Sequence, residues 1–315
     1  MRTNKISCQV KEYLEYKRSL GFKLKADEIV LKGFVQYTLE KNYGGSLCKD
    51  IVLDWIASGV NSDKTMGRKL EIIMPFSKYA AAFDENAVII NKQIFPNVRV
   101  RPTPYIYTED ETIKLMNQCS KLYSPDGIRA LSVATVIGLL WSCGLRPSEP
   151  INLTVGDVNT DECFLYIRKT KFLKERIIPI DKSVAQKLYE YKCKITEKLG
   201  LRLPDMPFFY TTYGKPLTER ALEYAFSLIR PCINANPVGY PHVRLYDFRH
   251  TMACRTIQRW SEQGVDVNKN LYILSTYLGH VKPQDTYWYI SSTPEIMKLS
   301  CLKYEETFGG DFDEE

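Results

Sequence analysis

Apolar positions through residues 1–90 fall three and four apart, the spacing of helices that bury one face, and nowhere alternate as a strand would. Residues 6–20 place Val10, Tyr13, Leu14, Tyr16 and Leu20 among charged neighbours, and Gly21 closes the segment. A second helix is predicted over 26–40, with Ile29, Leu31, Phe34, Val35 and Leu39. A shorter one covers 51–57, and a long one follows Ser62, as N-cap, to about residue 82. Four helices without a strand predict a compact all-α unit. Residues 91–104 are then polar, basic and broken by three prolines, the composition of an interdomain linker.

The pattern changes in the second body, 105–315. Thr108 with Glu111 three residues on is a capping-box start, and helices are predicted over 109–122 and 127–142. Two short β-branched runs, 163–168 and 176–180, flank a basic turn and read as a β-hairpin. Further helices are predicted over 183–199, 217–230, 247–263, 269–278 and 293–306. The last opens on Thr293-Pro294, where proline suits a first turn. The fold class is mainly α with a small antiparallel sheet (α+β), in two domains.

At 315 residues, 44% hydrophobic and 25% charged, the chain has the composition of a globular protein with room for two cores. It has no apolar run of the roughly eighteen residues that a membrane helix needs, and its start lacks the apolar stretch of a signal peptide. The expectation is a cytoplasmic protein without a membrane partner. Nine cysteines, an odd number without close pairs, argue against a disulfide framework. No Cys-x-x-Cys is present and the three histidines lack ligand spacing, so neither metal nor other cofactor is expected. The net charge of +6 divides into +6 over 1–104, +6 over 105–304 and −6 over 305–315. Two basic bodies suit a polyanion, although an ordinary solvated surface gives the same totals.

Five residues in a fixed order carry the candidate chemistry: Arg146, Lys171, Arg249, His280 and Tyr289. Guanidinium groups grip phosphate oxygens in pairs, and a tyrosine oxygen can attack phosphorus and become a covalent carrier. Taken singly, four of the five have a plainer use. Arg146 and Glu149 could be a surface pair on a helix expected to start at Arg146. Lys171, near the hairpin tip, could be a solvated edge lysine. Arg249, three residues after Tyr246 near a helix start, could satisfy nearby carbonyls. Tyr289, beside Tyr287 and Trp288, could be core packing.

The combination is similar in order, spacing and local sequence to the tyrosine recombinases, the phage integrase family. Gly144-Leu-Arg146-Pro-Ser-Glu149 resembles the family's Gly-x-Arg-x-Ser-Glu box, and Lys171 lies eight residues before Pro179, much like its hairpin lysine. Phe248-Arg249-His250-Thr251 matches the arginine half of a His-x-x-Arg-His box, and Leu278-Gly279-His280 with Tyr289 matches the last two elements. The resemblance covers nearly the whole chain. It implies a four-helix core-binding domain over 1–90, the linker over 91–104, and a catalytic domain with a C-terminal tail helix over 105–315. Tyr16-Lys-Arg-Ser-Leu-Gly21 is similar to recombinases encoded by transposons that carry several such enzymes.

The implied activity is site-specific DNA recombination for a mobile element, through a 3′-phosphotyrosine. Tyr289 would attack, Arg146 and Arg249 would clamp the phosphate, His280 would add a hydrogen bond, and Lys171 would protonate the leaving oxygen. Glu149 and His250 would support them, while Lys174, Arg176 and Arg244 would meet DNA. The implied partners are double-stranded DNA, a homotetramer on two synapsed sites, and other recombinases of the same element. Tyr246 departs from the family's usual histidine, and a phenol with a pKa near ~10 is a poor base at neutral pH. His242 and His250 are expected not to replace it, leaving proton removal to solvent or phosphate. Relaxation by a type IB topoisomerase-like enzyme and non-catalytic DNA binding are the alternative readings.

Overall fold

The computed structural model describes residues 4–59, 62–91, 103–168, 175–280, 282, 286 and 289. The chain divides into two compact units, Met1–Arg101 and Pro102–Glu315. The first holds α1 (Lys5–Ser19), α2 (Lys25–Glu40), α3 (Lys49–Ala57) and α4 (Asp63–Phe83). Asn4 sets the start of α1: its side chain accepts from the Ser7 amide at 2.9 Å, and the Ser7 hydroxyl accepts from the Asn4 amide at 3.0 Å. The Asn4 side-chain amide also donates to Thr38 and to the Tyr43 carbonyl, tying the beginning of α1 to the end of α2. Ser62 caps α4 as its position predicts. Ile6, Leu31, Phe34, Ile73 and Phe76 form the fully buried centre, with Phe34 tilted against Trp55.

The second unit is built around α6 (Ile128–Cys143), which is mostly apolar and buries Val133, Val136, Ile137 and Leu140 completely. While Ser142 near its end stays exposed, neighbouring helices cover most of it. They are α5 (Glu109–Gln118), α8 (Lys182–Leu199), α9 (Glu219–Ile229) and α10 (Asp247–Glu262). A three-stranded antiparallel sheet follows the order β1 (Val158–Asn159), β2 (Phe164–Ile167), β3 (Arg176–Pro179). The hairpin is the predicted one; β1 was not predicted, since two residues are too few to display alternation. In the register Leu165 faces Ile178 and Ile167 faces Arg176. The last helix with described bounds is α11 (Val267–Leu278), and beyond it Thr286 and Tyr289 are helical.

The helix expected to begin at Arg146 is instead a single turn, α7 (Ser148–Ile151), with Pro147 as its cap. Arg146 sits in the corner between α6 and α7, a corner that Gly144 turns at φ 59°. The start of α10 is held from α5's side: Tyr107 stacks on Phe248 at 4.1 Å, donates from its amide to Thr251 at 3.0 Å, and donates from its hydroxyl to the Arg244 carbonyl. Residues 92–102 of the expected linker, Lys171 and Lys174, the helix expected over 293–306 and the acidic end all lie outside the described residues. Among the described residues, no helix is long and apolar enough to cross a membrane.

Candidate active site

A helix ends with carbonyls that lack intrahelical partners and carry the negative pole of its dipole. At the end of α11 three consecutive carbonyls each receive a different arginine. Arg176 Nε donates to Tyr277 at 3.0 Å, Arg249 Nη2 donates to Leu278, and Arg146 Nη2 donates to Gly279 at 3.1 Å. These arginines come from β3, from the first turn of α10 and from the α6–α7 corner. Gly279 stands at φ 69°, where a side chain is strained, and a Cβ there would lie 3.1 Å from Arg176 Nη1. The next residue is His280.

Glu149 organises two of the three. Its Oε1 accepts from Arg146 Nη1 at 2.9 Å and from Arg176 Nη1 at 3.0 Å; its Oε2 accepts from the Arg146 amide at 2.9 Å and from Arg176 Nη2 at 2.8 Å. All four lone-pair sites of the carboxylate are used. Burial pushes the carboxyl pKa up, but the hydrogen bonds and charge of Arg176, with the Arg146 amide, hold it below its ordinary value. Three guanidiniums against one carboxylate leave the cluster with two net positive charges.

Arg249 is fully buried. Its Nη1 donates to the Gly144 carbonyl at 2.9 Å, and its Nε, also buried, has no hydrogen-bond partner among the described residues. A buried charge with a spare donor is an anion-seeking group. Burial depresses its pKa, opposed by nearby Tyr289, while the charge of Arg146 adds to the depression.

Tyr289 is buried too, in a small apolar cluster with Ala253, Cys254, Ile257, Leu274 and Leu278. Burial pushes its phenol up to about 12, while the charge of Arg249 and a hydrogen bond from it pull the other way. His280 stacks on Tyr289 at 5.9 Å between ring centroids. The Nδ1 of His280 pairs with the Thr286 hydroxyl at 2.7 Å, which directs Nε2 away from that contact. The ring of His250 lies 5.4 Å from that of Tyr289 and 5.1 Å from that of Tyr246, and Tyr246 is 38% exposed.

Five of the expected residues therefore converge in one place: Arg146, Arg249, His280, Tyr289 and Glu149. His250, expected to support the cluster and not to replace a histidine at position 246, has its ring 5.1 Å from that of Tyr246 and 5.4 Å from that of Tyr289. Arg176 was expected to meet DNA and does something else. Its side chain is 12% exposed, and three of its nitrogens are bonded to Glu149 and the Tyr277 carbonyl. The strand explains why: residues two apart share a face, so Arg176 points inward with Ile178. Arg244 is half-buried, paired with Asp247 and stacked on Tyr240 at 3.5 Å. Lys171 and Lys174 are outside the described residues. Sequence reasoning also missed Thr286 and the accepting carbonyls, which no residue type announces. Among the described residues no cluster of histidine, cysteine, aspartate and glutamate could hold a metal ion.

Residues 106–295 match the model of the phage integrase family. The chain is 31% identical to y4rB of Sinorhizobium fredii, a protein named as a candidate integrase/recombinase, over 301 residues that cover 94% of this chain and 96% of that one. It is 24% identical to the tyrosine recombinase XerC of Thermodesulfovibrio yellowstonii over 272 residues, 84% and 77% of the two chains. Among solved structures, the fold matches the Tn1549 transposon integrase in complex with transposon right end DNA, with TM-score 0.65 and 14% identity over 95% of this chain and 98% of that one. It also matches a lambda integrase dimer bound to a core site, with TM-score 0.62 and 14% identity over 88% and 95%.

The family model spans more than half of the sequence, and with it the arginine cluster and the tyrosine, so the chain belongs to the phage integrase family, the tyrosine recombinases. It is accordingly a DNA strand transferase, an enzyme that breaks and rejoins DNA through a phosphotyrosine bond.

Proposed function

We propose that this enzyme is a site-specific recombinase of a mobile element, with Tyr289 as its nucleophile. The phenolic oxygen attacks the scissile phosphorus in line. A bond forms from tyrosine to the 3′ phosphate and the bond to the 5′ oxygen breaks. The phenol's proton goes to solvent or phosphate, and Lys171 supplies a proton to the departing 5′ oxygen as general acid. Arg146 and Arg249 hold the non-bridging oxygens and offset charge in the pentacoordinate transition state. His280 adds a third hydrogen bond through Nε2. Glu149 and His250 support the cluster, and Arg244 and Lys174 contact the DNA backbone. Reversal by a 5′-hydroxyl from another strand exchanges partners without an external energy source, because the ester keeps the bond energy.

The observation that carries this reading is the convergence of two guanidiniums, fixed on successive carbonyls of α11, with the phenol of Tyr289. Residues 1–90 act as the core-binding domain, 91–104 as the linker and 105–315 as the catalytic domain. Two lambda integrase structures are a dimer on a core site and a tetramer on a Holliday junction. By analogy, four copies of this chain assemble on two synapsed sites. The test is a nicked duplex carrying the element's own end sequence, mixed with enzyme and quenched with denaturant. Wild type yields protein covalently joined to DNA, and Y289F binds the duplex but yields none. Products in which two labelled duplexes are joined, and not supercoil relaxation alone, distinguish recombination from topoisomerase activity. An adduct that persists in Y289F overturns the assignment.

A further inference from the structure

One arginine of the cluster has no part in the reaction just described. Arg176 sits on β3, opposite Ile167, where the strand's inward face would ordinarily carry an apolar residue. Its fork closes on both oxygens of Glu149, at 3.0 Å and 2.8 Å, and its Nε reaches the Tyr277 carbonyl. Burying this charge is costly unless it is matched, and here it is matched by the same carboxylate that holds Arg146.

The electrostatic consequence follows from counting charges. Were Arg146 the sole partner of Glu149, the two would cancel, and Arg146 would meet a phosphate as half of a neutral pair. With Arg176 on the other side, the trio keeps one positive charge, carried at the side where Arg146 is 22% exposed. We propose that Arg176 is a positioning residue for DNA cleavage: it neutralises Glu149, so that Arg146 retains its charge for the scissile phosphate, and it pins β3 to the end of α11. This rests on the reading of Arg146 as a phosphate clamp. Arg176 itself touches no reacting atom.

The experiment is single-turnover cleavage of the nicked duplex at saturating enzyme, with DNA affinity measured separately. R176Q is expected to lower the cleavage rate by roughly 10- to 100-fold, the scale on which outer partners tune a charged ligand, with little change in affinity. R176K keeps the charge without the fork and gives an intermediate rate. The decisive variant is E149Q/R176Q, which removes the carboxylate together with its counter-ion and so returns the charge of Arg146. It cleaves faster than R176Q, an outcome that a merely structural role for Arg176 does not produce. A double variant no faster than R176Q, or an R176Q enzyme as fast as wild type, overturns the proposal. Should R176Q not fold, E149Q/R176Q buries no unpaired charge and is compared with wild type directly. Cleavage within about tenfold then supports the proposal, and a larger loss overturns it. R146A serves as the separate control: wild-type cleavage there would sink the clamp reading itself, whatever R176Q does.

Discussion

The proton of Tyr289 offers the sharpest test of how this site works. At pH 7.5 a phenol pushed to about 12 is ionised in roughly three molecules per hundred thousand, about a hundredfold fewer than an ordinary phenol, a difference of ~2.7 kcal/mol. The neighbour at position 246 is another phenol and not an imidazole. If solvent removes the proton, cleavage at saturating DNA rises about tenfold per pH unit from pH 7 to 9.5. Y246H places an imidazole, with an ordinary pKa of ~6.5, at the N-terminus of α10, where the helix dipole and Arg249 disfavour its protonated form. The variant should cleave at least as fast as wild type at pH 7.5 and show a much flatter profile above it. Adduct formation on the nicked duplex, quenched in denaturant across this range, gives both curves. The titration of Tyr289 itself does not unsettle the fold in this window. Because the folded pKa of Tyr289 is raised, its contribution to stability is intact below pH ~10 and is lost only as pH rises from there towards about 12. A wild-type profile that levels off near pH 7 would refute solvent as the acceptor and point to an imidazole, with His250 at 5.4 Å and His280 at 5.9 Å as the carriers. A large loss of cleavage in Y246H would refute the reading of position 246.

Two further outcomes follow from packing. G279A forces a side chain into left-handed backbone at ~1–2 kcal/mol and sets its Cβ 3.1 Å from Arg176 Nη1; urea unfolding should register the loss and adduct yield should fall with it, and wild-type values for both would remove Gly279 from the account. F248A empties a fully buried site stacked on Tyr107 and should cost about 3–5 kcal/mol in the second unit; a urea midpoint close to that of wild type would mean that the stack contributes little.

Much of this protein is local and could be read along the chain. The helices of the first unit, the Thr108–Glu111 box and the hairpin over β2 and β3 depend on caps and periodicity, which act within a few residues. The order of the candidate catalytic residues was legible for a different reason: Gly144, Gly279 and the arginines stand in short motifs that resemble those of the phage integrase family. Arg176 lies between these cases. Alternation along β3 already places it on the inward face with Ile178, so its burial was written in the strand's period, but nothing local says that a carboxylate waits there.

Only the tertiary structure supplied that carboxylate and the shared anchor. The arginines reach Tyr277, Leu278 and Gly279 across 101, 29 and 133 residues of chain. A carbonyl at a helix end looks the same in every sequence, and its partner is chosen by which elements pack around it. Residue types and their spacing therefore decided which groups this enzyme can use, because those are properties of side chains and of short stretches of backbone. Packing around α6 and the end of α11 decided which charges cancel and which remain unbalanced, because that balance is a matter of distances between segments far apart in the chain.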